Sequence, residues 1–117
     1  MGGRDSSALK FERDESRDAF ERRDMPAWFY MLRLTSGKLY SGSSRVLPSR
    51  IKQHFQGRGG RTTRLDPPKT VAYTEEFGSY REASQREAQV KGWSRSKKEA
   101  LIRGDIQTLK KLAKRKA

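Results

Sequence analysis

The sequence predicts a small α/β domain in which strands alternate with short helices. Three observations point there. Trp28 to Leu34 is a run of aromatic and long aliphatic residues followed by a Gly-containing turn and a second short run. Leu47, Ile51 and Phe55 recur at i, i+4 and i+8, the spacing of a helix stripe. Ser79-Tyr80-Arg81-Glu82 has the spacing of a capping box, in which Ser and Glu side chains satisfy each other's exposed backbone N–H groups at a helix start.

Taken in order, residues 1–24 carry a mixed-charge run with only Leu9, Phe11 and Phe20 as large apolar groups, and read as a charged flexible tail. Pro26 ends whatever precedes it. Trp28 to Leu34 reads as a central strand, interrupted only by Arg33, and Lys38 to Gly42 as its hairpin partner across Thr35-Ser36-Gly37. Period two puts Tyr30, Leu32 and Leu34 on one face, so the Tyr30 hydroxyl must emerge at the sheet's end or find a partner. Pro48 can open the next helix at its first turn. Arg50 and His54 lie one turn apart on it.

Gly57, Gly59 and Gly60, with Arg58, Arg61 and Arg64, read as a flexible basic loop closed by Pro67-Pro68. Lys69 to Glu75 reads as a third strand. A helix from about Tyr80 to Lys91 follows the capping box, and Ser96-Lys97-Lys98-Glu99 repeats that signal before Ala100-Leu101-Ile102. Gly104 can end this helix and Asp105 can cap a last one bearing Ile106, Leu109 and Leu112. The organisation expected is a tail over 1–24, one domain over 25–104 and a basic C-terminal helix or tail over 105–117.

The 117 residues leave room for one domain with a modest core, and contain no cysteine, which excludes disulfides and thiolate metal sites. No apolar run has the length of a membrane span or a signal peptide, so the expectation is a soluble cytoplasmic chain with no membrane partner. Charge is unevenly placed. Up to Asp24 there are six Lys and Arg against seven Asp and Glu; beyond it there are 21 against 7. The domain therefore carries an excess of +14, a field that draws polyanions.

Trp28-Phe29-Tyr30, Tyr40-Ser41-Gly42, Arg50-Ile51-Lys52-Gln53-His54 and Arg86-Glu87-Ala88-Gln89-Val90-Lys91, in that order and spacing, resemble the GIY-YIG nuclease superfamily, most of all its small stand-alone bacterial members. The resemblance covers roughly residues 28–102. It implies a three-stranded antiparallel sheet flanked by helices and an endonuclease that hydrolyses DNA phosphodiester bonds with one divalent cation, Mg²⁺ or Mn²⁺. By position it implies catalytic roles for Tyr30, as general base or water positioner, with Tyr40 as its partner. Arg50 would serve the transition state, His54 would lie near the site, and Glu87 would be the metal ligand. The family's first Gly is here Trp28, and its Ile is Phe29 in one triplet and Ser41 in the other.

The residues taken alone speak more narrowly. Phosphodiester hydrolysis needs a deprotonated water, a neutralised phosphate and a stabilised leaving oxygen. A lone carboxylate such as Glu87 suits Mg²⁺, which keeps several waters, and Arg50 offers a permanent planar cation. Each also has a plainer reading. Tyr30 can be core with a satisfied hydroxyl, Glu87 an i,i+4 partner of Lys91, Arg50 a solvated helix charge, and His54 a helix-face residue. Trp28 and Trp93 read as core rather than stacking platforms.

The combined reading is a metal-dependent endonuclease on single-stranded, duplex or branched DNA, with Arg58, Arg61, Arg64 and Lys91 among the nucleic-acid contacts. Its rivals are a non-catalytic nucleic-acid-binding module on the same fold and a basic protein that binds structured RNA. Charge-driven binding makes a quantitative expectation. If about five phosphates are neutralised, the logarithm of the association constant should fall against log salt with a slope of about −3.5 on single strands or −4.5 on duplex. Replacing Arg58, Arg61 and Arg64 together by Ala should flatten that slope by up to about two to three in titrations from low to high salt, and weaken every sequence alike.

Overall fold

The computed structural model describes residues 25–116, so the tail expected over 1–24 lies outside the described residues. Strands β1 (Ala27–Leu34), β2 (Leu39–Ser44) and β3 (Pro68–Phe77) form one antiparallel sheet in the order β2-β1-β3. Among the described residues five helices accompany it: α1 (Leu47–Phe55), α2 (Arg61–Leu65), α3 (Tyr80–Lys91), α4 (Arg95–Arg103) and α5 (Ile106–Lys116). The α/β class and the three-stranded antiparallel sheet flanked by helices are as expected from the sequence.

β1 is central and buried on both faces, which explains its apolar character, broken only at Arg33. On one face Phe29 and Met31 pack with Val90 of α3 and Leu101 of α4, bordered by Tyr73, Phe77, Trp93, Ile102 and Leu109. On the other face Tyr30, Leu32 and Leu34 pack with Tyr40 and with Leu47 and Ile51 of α1. Arg33, the one charge in the strand, makes a two-pronged pair with Glu99 of α4 at 2.9 Å for each contact, and Glu99 also accepts from Arg95. These cations, Arg33 foremost, hold the Glu99 carboxyl down to about 2.

The hairpin turn is tied back to the segment before β3. The Thr35 amide donates to the Pro67 carbonyl at 2.8 Å and the Ser36 amide to Asp66 Oδ1 at 3.0 Å. β3 skips one residue against β1 at two points, between Met31 and Leu32 and between Arg33 and Leu34, and such bulges discourage pairing at an exposed sheet edge. Pro68, expected to close a loop, is instead the buried first residue of this edge strand, where its missing N–H costs no ladder bond.

Three local expectations are corrected. The loop from Gly57 to Arg64 is not uniformly irregular: residues from Arg61 on form α2, because Thr63 is buried against α1. Ser94, not Ser96, caps α4 by accepting from the Lys97 amide, which leaves Glu99 free for Arg33. The buried stripe of α1 runs Leu47, Ile51, His54, following i+7 rather than i+8, so Phe55 is exposed and the histidine lies inside. The capping bond at Ser79, the glycine end at Gly104 and the Asp105 cap over the Thr108 amide form as expected.

Two neighbours on β2 should respond oppositely to alanine. The Ser41 hydroxyl is buried and has no hydrogen-bond partner among the described residues, whereas a Cβ at Gly42 would collide with the Tyr30 ring and hydroxyl. Ser41→Ala should leave stability unchanged or raise it by up to about 1 kcal/mol. Gly42→Ala should cost about 1 to 3 kcal/mol through overpacking. Denaturant unfolding of the two variants beside the wild type checks both.

Candidate active site

Tyr30 stands on the central strand directly opposite Gly42, and its ring passes over that glycine, where any side chain would block it. The hydroxyl is not solvated, since Tyr30 is 1% exposed; it finds its partner in His54 Nε2 at 2.7 Å. His54 is fully buried, and its Nδ1 lies 2.9 Å from Thr63 Oγ1 of α2. Gly59 closes over the same imidazole, so closely that a Cβ there would overlap the ring. The Tyr40 and His54 rings meet edge to face, 5.1 Å between centres and at 63°. Both phenols and the histidine thus form one group, and Tyr40, half-buried, is its solvent side.

A neutral imidazole has one donor and one acceptor. The chain of contacts is therefore directional: either the Tyr30 hydroxyl donates to Nε2 while Nδ1–H donates to Thr63, or every donor is reversed. Burial, with the Arg50 guanidinium as a smaller influence, holds the His54 pKa down to about 4. Burial also pushes the Tyr30 phenol up to about 12, an effect that nearby Arg50 partly offsets. Arg50 is anchored by donating to the Gly59 carbonyl at 2.9 Å and to Gln53 Oε1 at 3.1 Å.

Glu87 approaches from the other face of the sheet. It lies on α3, accepts from Ser43 Oγ at 2.6 Å through one oxygen and pairs with Lys91 Nζ at 2.8 Å through the other. Ser43 adjoins Gly42, the residue opposite Tyr30, so the two halves meet at β2. Arg58, Arg61 and Arg64 are exposed on and before α2, apart from the buried group. Lys91 is engaged with Glu87 rather than presented alone.

Sequence reasoning did not single out Thr63, Ser43 or the backbone of Gly59. Thr63 lies in a short segment with weak helix preference, and nothing in its neighbourhood announces a histidine nine residues earlier. Gly42 closes the Tyr40-Ser41-Gly42 motif, and its physical task is to make room for a ring.

The buried histidine sets a pH dependence with a defined sign. The unfolded chain gains a proton near pH 6.5 that the folded chain refuses until about 4. Stability should therefore be full above 6.5 and decline as pH falls from 6.5 to 4. Glu99 adds a loss below about 4.5, its ordinary value, toward 2. Denaturation midpoints at pH 7.5 and 5.0 check this, and His54→Gln should flatten the difference between those two pH values.

The GIY-YIG catalytic domain family matches residues 26–100. A UPF0213 protein of Bacillus pumilus is 39% identical over 75 residues, covering 64% of this chain and 76% of the relative. One from Staphylococcus saprophyticus is 35% identical over 75 residues, covering 64% and 92%, and one from the archaeon Halobacterium salinarum is 38% identical over 73 residues, covering 62% and 95%. The solution structure of a UPF0213 protein from Bacillus halodurans, 36% identical, is similar with a TM-score of 0.47 over 69% of this chain and 86% of that one. The match runs from the strand that carries Tyr30 through the helix that carries Glu87 to the buried start of the Ala100-Leu101 pair, and the chain belongs to the GIY-YIG family, a nuclease-type family whose substrates are nucleic acids.

Proposed function

We propose that this domain is an endonuclease that hydrolyses DNA phosphodiester bonds at the β2 edge with the help of one divalent cation. The observation that carries the reading is the convergence of Tyr30, Tyr40, Arg50 and a neutral, fully buried His54 on one side of that edge with Glu87 on the other. Arg50, fixed by the Gly59 carbonyl, is a permanent cation for the developing charge on a phosphate. Tyr40, the half-buried phenol on the solvent side of the group, would position the attacking water, with Tyr30 and His54 fixed behind it by their hydrogen bond.

The donor set at Glu87 suits Mg²⁺ or Mn²⁺. A carboxylate and a serine hydroxyl are hard oxygen donors, and no cluster of three or more His, Cys, Asp or Glu able to hold a metal occurs among the described residues. Glu87 would hold the ion. When bound, the ion would supply charge neutralisation at the phosphate and a more acidic water. Lys91 would exchange the carboxylate for a phosphate oxygen, an anionic partner of the same kind.

The near-complete burial of Tyr30 favours one second reading, a nucleic-acid-binding module on this fold in which the tyrosine–histidine pair is structural. Cleavage of labelled DNA in Mg²⁺, Mn²⁺ or EDTA separates the two. Under the first reading Glu87→Ala abolishes nicking with binding and folding intact. Tyr40→Phe, which loses one oxygen at the half-buried solvent side of the group, lowers the rate by about 10² to 10⁴ while destabilising only modestly. Cleavage at wild-type rates by both variants, or none by the wild type with any ion, would leave the binding module standing.

A further inference from the structure

Beyond the catalytic group, the seam between β2 and α3 continues to an aromatic side chain that the mechanism leaves unused. Tyr80 is 40% exposed at the first turn of α3, and the Arg45 guanidinium, just past β2, lies over its ring at 5.4 Å from the centre. A surface cavity of about 310 Å³ is lined by these two residues, at the lower end of the range for small-ligand clefts, ~300 to 1,000 Å³. Both are placed by the elements that hold the acidic half of the site: Ser43 on β2 reaches Glu87, and two residues on, Arg45 reaches Tyr80. Tyr80 and Glu87 are seven residues apart, two helical turns, so they share one stripe of α3 about 10 Å apart.

Resting on the nucleic-acid reading above, we propose that Tyr80, steadied by Arg45, is a stacking platform for one unpaired nucleobase of the substrate strand, about one to three nucleotides from the phosphate at Glu87. An aromatic ring with a guanidinium over one face is the chemistry that recognises a nucleotide, since the open face takes the base and the cation takes the adjoining phosphate. The +14 excess of residues 25–117 is complementary to the backbone on either side. A paired base cannot lie on the ring without leaving its helix. The platform therefore assigns the domain a preference for single-stranded or locally opened DNA over closed duplex.

The test measures binding without cleavage, by fluorescence anisotropy in EDTA, using the full chain with labelled single-stranded and duplex oligonucleotides. Tyr80→Ala should weaken single-strand binding by about 10- to 100-fold. Tyr80→Phe should bind as the wild type does, and the salt slope should be the same in all three, because no charge is removed. Moving one abasic site along the strand should reveal a position at which wild type loses affinity and Tyr80→Ala loses no more. Thermal melts confirm that the variants are folded. Wild-type affinity in Tyr80→Ala, or equal loss at every abasic position, overturns the platform and leaves the nucleic-acid reading intact. Failure of the wild type to bind either oligonucleotide at low salt overturns both.

Discussion

The arrangement of this domain depends on one requirement: a phenol buried on the central strand must have its hydroxyl paired. β1 is covered on both faces, so Tyr30 cannot send its oxygen to water. Leaving a buried hydroxyl unpaired costs about 1 to 3 kcal/mol, a sizeable part of what holds a small domain together. The partner is His54, which must then be buried too, and its second nitrogen has to be paired in turn, by Thr63. That sequence of obligations fixes the rotation of α1, draws a poor helix-forming segment into α2 and requires bare backbone at Gly42 and Gly59. Structure and candidate chemistry share these bonds, so a change in one reaches the other.

The electrostatics divide in two. On the helical face, Arg33, Glu99 and Arg95 form a half-buried network that ties α4 to the centre of the sheet, and Arg86 joins α3 to Glu75 of β3. At the β2 edge, Glu87 is held by a serine and a lysine, contacts that can be exchanged one at a time. The first set joins one bidentate pair, Arg33 with Glu99, to single contacts from Arg95 and Arg86; the second is open to competition from ions and phosphates. Rigid bracing on one side and exchangeable partners on the other suit a surface that must receive a polyanion without losing its shape.

Strands, hairpin and capped helices were legible in the sequence because each is written locally, in period-two runs, turn residues and Ser-x-x-Glu spacing. What escaped was decided across the chain. The i+8 reading placed Phe55 inside, yet tertiary pairing favoured His54 at i+7. Two serines could cap α4, and the choice rested on Glu99 being wanted by Arg33, 66 residues away. The five candidate catalytic residues stand in ordered motifs, but the distances that make Tyr30, His54 and Thr63 one unit depend on how α1 and α2 pack. No local pattern encodes them.

His54 is the chain's single histidine, and both its ring nitrogens are engaged away from solvent. Its ring resonances in a nuclear magnetic resonance spectrum therefore need no assignment against others of their kind. The nitrogen shifts distinguish the two tautomers directly and so give the direction of the whole hydrogen-bonded chain. The protein carries its own reporter at the junction of its core and its candidate site.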